Sequence, residues 1–221
     1  IKITESEIMV KKFYEKTGMF IDWEQLDRLP DIDTLIDVGV GPIGTPDLYQ
    51  RFQNQKLILI DPLDEAETFC KQNLKHRNVS FYKTALGLEK KEMILNVEKE
   101  LGRSTLLEVT DLNYEGTPIE SRKVKVDRLD SVLSNEKKLG DIGIKIDTEG
   151  YEVNVILGAS ECLKSTKFVL AEVRHNHKTF EDGYKMHEFM TAMNNNGFVL
   201  TMILTAKPFI ADLCFQPSID L

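Results

Sequence analysis

Two stretches of the chain are apolar at nearly every consecutive position: Leu57-Ile-Leu-Ile60 and Phe168-Val-Leu-Ala-Glu-Val173. A strand with one wet face alternates apolar and polar residues, so an unbroken run calls for cover on both faces, the situation of parallel strands in an α/β sheet. Further runs rich in β-branched and aromatic residues, at 35–40, 79–82, 93–97, 124–126, 142–146, 198–204 and 209–215, predict the remaining strands. Between them, Pro46 to Phe52, Asp64 to Leu74, Tyr151 to Leu157 and Tyr184 to Asn196 carry helical spacing. The last of these ends at Asn194-Asn-Asn-Gly197, with glycine placed for a C-terminal cap. Strands alternate with helices through the early and middle chain, which predicts a doubly wound α/β fold with a mostly parallel sheet. Thr205-Ala-Lys-Pro208 is short enough to join the last two runs as an antiparallel hairpin. Residues 93–126 contain short runs with polar breaks and form either an antiparallel elaboration or a loop over a site.

The 221 residues, 42% of them hydrophobic, can fill one sizeable core. We expect a helical extension over residues 1–30 and a single domain over 31–221. The formal charge of −8, from 28 basic against 36 acidic side chains, argues against nucleic acid as a partner. Cys70, Cys162 and Cys214 are odd in number and far apart, which fits a reducing cytoplasm and neither a disulfide framework nor a cysteine metal site. No window is long and apolar enough for a membrane span, and the first residues, Ile1-Lys-Ile-Thr-Glu-Ser-Glu, lack a signal-peptide layout. The chain begins without Met, which leaves open a segment ahead of Ile1.

Two strand ends carry the candidate chemistry. After Leu35-Ile-Asp-Val comes Gly39, and Gly39, Gly41 and Gly44 spell Gly-x-Gly-x-x-Gly ahead of Pro46, a residue suited to a helix's first turn. Asp61 closes the next run, 17 residues after Gly44, where a carboxylate can accept hydrogen bonds from ribose hydroxyls. The pair is consistent with an adenosine-containing cofactor and does not separate a dinucleotide from S-adenosylmethionine. Asp37 favours the second, because a carboxylate near the first glycine repels pyrophosphate and suits an ammonium and a sulfonium; the alternative is that Asp37 merely caps a turn and the glycines form an ordinary tight connection.

Downstream, Ile144-Lys-Ile-Asp147-Thr-Glu149-Gly150 delivers two carboxylates to a strand's carboxyl end, where open α/β sheets bind their ligands. Glu172 ends the following run and is trailed by Arg174, His175 and His177. Such a group either orients and deprotonates an attacking hydroxyl or holds a divalent cation that acidifies it; Asp147, Glu172 and His175 make one oxygen-rich ligand set. Lys145, two positions before Asp147 on the same strand face, is its candidate structural partner. Arg103-Ser104-Thr105 can add hydroxyl or cationic contacts from a loop.

These residues resemble the FkbM family of S-adenosylmethionine-dependent methyltransferases. The resemblance rests on Asp37-Val-Gly39, Asp61-Pro62 and above all Lys145-Ile-Asp147-Thr-Glu149-Gly150, with Thr84-Ala-Leu-Gly87, Arg103-Ser-Thr-Leu106 and Glu172 in support, and spans roughly residues 33 to 215. It implies a Rossmann-like class I methyltransferase fold with a seven-stranded sheet, S-adenosylmethionine as cofactor, and O-methylation of a hydroxyl on a sugar, glycan or secondary metabolite. Carried over residue by residue, it implies cofactor contacts from Asp37, Gly39, Gly41, Gly44, Asp61, Pro62, Ala85 and Ser104, and acceptor-side roles for Asp147, Glu149, Glu172 and His175. The chain departs from the family in its glycine loop, Val40-Gly41-Pro42-Ile43-Gly44, which lacks the usual Asn and places its last glycine one residue later, and in Asp61, where Glu is commoner. Metal dependence and oligomeric state stay open at this stage. The competing readings are an NAD(P)-dependent Rossmann oxidoreductase, motivated by the literal glycine motif, and a non-catalytic binding module on the same fold.

Overall fold

A computed structural model describes residues 23–110, 118–175, 179–206 and 209–218. Its main sheet has seven strands: β1 (Thr34–Val38), β2 (Lys56–Ile60), β3 (Val79–Tyr82), β7 (Ile142–Ile146), β8 (Thr166–Arg174), β9 (Phe198–Ala206) and β10 (Ile210–Pro217). Their order is β3-β2-β1-β7-β8-β10-β9. The first five are parallel to their neighbours, and β10 joins β8 and β9 antiparallel. This is the doubly wound sheet with a C-terminal hairpin expected from the sequence. The chain's last strand returns inside the hairpin, leaving β9 at the sheet's edge.

The unbroken apolar runs have the predicted cause. Along β2, Leu57 and Leu59 enter one buried cluster and Ile58 and Ile60 the other, because successive side chains point to opposite faces. β8 divides the same way, with Phe168 and Leu170 in one cluster and Val169, Ala171 and Val173 in the other. The side-chain parity also fixes where the polar residues go: Asp37 shares the face of Leu35, and its register partner on β7 is Lys145.

Helices α1 (Trp23–Leu26), α2 (Pro46–Arg51), α3 (Asp64–Asn73), α4 (Leu129–Val132), α5 (Glu152–Leu157) and α6 (Met186–Asn195) connect the strands. Of the N-terminal extension only α1 falls among the described residues. The four-residue α4 was not anticipated, since one turn is too short to show a helical period. The described part of residues 93–126 forms the antiparallel elaboration rather than a bare loop: β4 (Ala85–Leu86), β6 (Pro118–Asp127) and β5 (Lys91–Glu98) make a second sheet in that order. β5 and β6 pair antiparallel from Lys91↔Val126 to Glu98↔Pro118. Among the described residues no helix is long and apolar enough to cross a membrane.

Candidate active site

The glycine loop is held from three sides. Gly39 donates its N–H to Ile60 O at 3.0 Å, and Asp147 donates to Val38 O at 2.9 Å, so the ends of β1, β2 and β7 are laced together. Gly39 has φ of +82°, and a Cβ built there would lie 1.7 Å from the Asp147 carbonyl oxygen. Both the backbone turn and the close approach exclude a side chain. Asp61 clamps the loop: its Oδ2 accepts the Gly41 N–H at 2.8 Å and its Oδ1 the Leu63 N–H at 2.8 Å. Burial pushes the Asp61 carboxyl up to about 6, partly offset by those two bonds.

Asp37 has a different place from the one expected. It is fully buried and does not line the cleft beside the loop. Its Oδ2 accepts hydrogen bonds from Tyr49 Oη at 2.5 Å and Thr45 Oγ1 at 3.0 Å, and its Oδ1 lies 3.9 Å from Lys145 Nζ. Asp37 therefore fixes the start of α2 against β1 from behind the loop, and burial raises its carboxyl above the usual range. Gly44 is also behind the loop, packed against Tyr49 and Phe69. The sequence pattern placed both residues near the turn but could not show which side they face. We expect Tyr49→Phe to destabilise the fold by about 1.5 kcal/mol, the lower range for a hydrogen bond to a charged group, measured by urea denaturation.

The cleft opens between the strand ends and the second sheet. Of the expected cofactor residues, Gly39, Gly41, Asp61, Pro62, Ala85 and Ser104 line it. Leu95, Leu101, Gly102 and Leu106 line it as well and were not foreseen, because their role depends on the second sheet folding back over the loop. The Gly102 Cα would lie 3.6 Å from a Cβ on Gly41. The Ser104–Thr105 segment is tied down on both sides: Thr105 exchanges backbone hydrogen bonds with Asn96, and its hydroxyl donates to Glu149 O at 2.7 Å. Among the described residues the charged members of the lining are Asp61, Asp147 and Glu149, with no Lys or Arg.

Asp147 and Glu149 follow the end of β7. Lys145 Nζ lies 3.0 Å from Asp147 Oδ2, so the structural partner expected from strand parity is present. Glu149 sits at φ +51° and pairs with Arg174, which also stacks over Phe180. Glu152 secures the turn by accepting the N–H groups of Thr148 at 2.8 Å and Gly150 at 3.1 Å and the Thr148 hydroxyl at 3.0 Å. Burial pushes Glu149 up to about 7, against the pull of Arg174 and with a smaller push from Asp147. Glu172, on β8, is raised well above the carboxylate range by burial first and then by Asp147, Glu149 and Asp212.

The carboxylates of Asp147, Glu149 and Glu172 converge, with one oxygen of each within 4.8 Å of the others. His175 is not part of this group. It is exposed just beyond β8, its N–H bonded to Phe209 O at 3.1 Å. Of the set Asp147, Glu172 and His175 drawn from the sequence, the structure brings the first two together, with Glu149, and leaves His175 outside the cluster. His177 lies outside the described residues.

Comparison with known proteins bears on what such a cleft does. No curated protein matches the chain. Among solved structures, the METTL16 methyltransferase domain shares the fold with a TM-score of 0.50 at 11% identity, over 90% of this chain and 65% of that one. A putative S-adenosylmethionine dependent methyltransferase from Listeria monocytogenes gives 0.49 at 12%, over 89% and 97%. Magnesium protoporphyrin IX methyltransferase (ChlM) from Synechocystis PCC 6803, with bound SAM, gives 0.48 at 11%, over 99% and 86%. At 11% identity the likeness to the first of these is one of fold alone. The methyltransferase FkbM domain matches residues 42–200, which include Asp61, the whole Lys145–Gly150 signature and Glu172. The chain belongs to the FkbM methyltransferase domain family.

Proposed function

We propose that this chain transfers a methyl group from S-adenosylmethionine to a hydroxyl oxygen on a sugar, glycan or other small-molecule acceptor. The observation that carries the reading is a cleft whose lining charges, among the described residues, are all carboxylates, Asp61 at one end and Asp147 with Glu149 at the other. A pyrophosphate would be repelled there, whereas a cationic cofactor is attracted, which disfavours the nicotinamide alternative. The residues fit S-adenosylmethionine in kind. Both Asp61 oxygens already accept one backbone N–H and each retains a lone pair for a ribose hydroxyl. Leu95, Leu101 and Leu106 offer an apolar wall to a purine.

S-Adenosylmethionine supplies, when bound, an electrophilic methyl group on a positively charged sulfur. The protein's part is to bind, orient and manage a proton. Gly39 and Gly41 bring backbone against the ligand, and the second sheet shields it from water. On the acceptor side, Asp147 is held by Lys145 and Glu149 by Arg174, so both carboxylates are fixed in direction. A fixed carboxylate beside the acceptor orients the hydroxyl and accepts its proton; alignment supplies much of the rate in such a displacement.

Calorimetric titration of the chain with S-adenosylmethionine, S-adenosylhomocysteine and NADH tests the reading. Saturable binding of the first two is expected. Binding of NADH alone would move the chain to the oxidoreductases, and silence from all three would favour a binding module on the same fold.

A further inference from the structure

Glu152, the first residue of α5, is 1% exposed, and its partners among the described residues include no Lys or Arg. Burying a carboxylate without a cation is costly, so the groups that face it show what it is kept for. Three donors meet one oxygen: Oε1 accepts the Thr148 and Gly150 N–H groups and the Thr148 hydroxyl. Those N–H groups flank Glu149, whose φ of +51° is unfavourable for a residue with a Cβ. Glycine would relieve that strain but would remove the carboxylate. The turn is held at two further points. The Thr105 hydroxyl donates to the Glu149 carbonyl at 2.7 Å, and the Tyr184 hydroxyl, which lies beside Glu152, accepts the Arg174 N–H at 3.2 Å. Arg174 in turn grips the Glu149 carboxylate, so the backbone and the side chain of Glu149 share one anchor.

We propose that Glu152 is a positioning residue: by locking the Thr148–Gly150 turn it fixes Asp147 and Glu149 before the methyl donor, and so lets the cleft distinguish the cationic donor from its neutral product. The inference deepens the methyltransferase reading and rests on it. Asp147, Thr148 and Glu149 all line the cleft, and Asp147 enters the turn from a fixed point, its N–H bonded to Val38 O. When the methyl group leaves, the C–S electron pair stays on sulfur and the sulfonium becomes an uncharged thioether. Carboxylates fixed in front of the sulfur hold the first more strongly than the second, which favours departure of the product. A carboxylate free to swing into water is screened and loses the distinction.

Two substitutions separate reach from charge. Glu152→Gln keeps an oxygen at the same reach and removes the charge. Glu152→Asp keeps the charge and withdraws it by one methylene, out of reach of the turn. Calorimetric titration with S-adenosylmethionine and with S-adenosylhomocysteine reads the ratio of the two affinities. It is run at pH 8, above the value of about 7 to which burial lifts Glu149, so that this carboxylate is ionised. Wild type should favour S-adenosylmethionine by roughly tenfold, what one unit charge gains from one carboxylate about 6 Å away at an effective dielectric constant of about 40. Glu152→Gln should keep that ratio. Glu152→Asp should lower it to about twofold or less, the value in bulk water, with S-adenosylhomocysteine affinity nearly unchanged.

Thr105→Val removes the hydroxyl from the Glu149 carbonyl at almost constant volume. It should lower the ratio in the same direction and decides the matter if Glu152→Asp does not fold. A wild-type ratio near one, a ratio preserved in Glu152→Asp and Thr105→Val, or one lost in Glu152→Gln would overturn the proposal; the last pattern would assign the effect to the Glu152 charge. An equal loss of both ligands in Glu152→Asp would overturn it as well, by reducing Glu152 to a residue of the fold. If wild type binds neither ligand, the methyltransferase reading itself fails, an outcome distinct from all of these.

Discussion

Gly39→Ala is expected to remove cofactor binding and to destabilise the fold by more than about 4 kcal/mol, at the far end of what single substitutions do. Two effects add. The backbone at Gly39 has φ of +82°, which alone costs an alanine about 1–2 kcal/mol. The larger effect is steric: the new methyl would lie 1.7 Å from the carbonyl oxygen of Asp147. That atom belongs to backbone, and Asp147 N–H is bonded to Val38 O at 2.9 Å, so neither strand can yield without breaking the β1–β7 seam. Gly41→Ala is the internal control. Its φ is +58°, but a Cβ there meets only Gly102 Cα at 3.6 Å, an ordinary contact, so only the backbone term applies. Urea denaturation of the two variants should separate them by about 2 kcal/mol or more, the excess of the clash over the shared strain. Equal losses would mean that β1 and β7 are not in tight register at the cleft.

The strands were legible because burial on both faces writes itself into every consecutive residue, as at Leu57 to Ile60. The signature from Lys145 to Gly150 was legible because carboxylates at an apolar strand's end stand out against their surroundings. The side to which Asp37 and Gly44 face was not. Both sit in the glycine motif, but Tyr49 and Thr45, which draw Asp37 behind the loop, are ordinary residues of the helix start. The leucines of the cleft were invisible for another reason: Leu95, Leu101 and Leu106 reach it only because β5 and β6 fold back over the loop. His175 lies apart from Asp147, Glu149 and Glu172, exposed beyond the end of β8, because a sequence shows proximity along the chain and not which side chains a turn brings together. The residues that local period or chemistry singles out could be read, and those placed by long-range packing could not.

Asp61 connects the cofactor to pH. Its carboxyl is raised from 3.8 to about 6 by burial, so in the empty protein the charged form is disfavoured. For an acid with a raised native value, the unfolded chain gives up its proton first. Stability is therefore lost as pH rises from about 4 to about 6, by about 3 kcal/mol over the full window at 1.36 kcal/mol per unit. Cofactor binding runs the other way. On the proposed function ribose hydroxyls donate to the ionised carboxylate, so S-adenosylmethionine should bind with constant affinity above about pH 6 and weaken by up to about tenfold per unit below it. Asp61→Ala should weaken binding by about 1.5–3 kcal/mol at pH 8, roughly 10- to 150-fold, the range for charge-assisted hydrogen bonds. The same variant should abolish the step near pH 6, which separates Asp61 from Asp37 and Glu149, whose carboxyls are also raised. Calorimetry from pH 5 to 8 on both proteins reads the affinity and the step together. Wild-type affinity in Asp61→Ala would remove this residue from the ribose site, and persistence of the step would assign it to another of the buried acids.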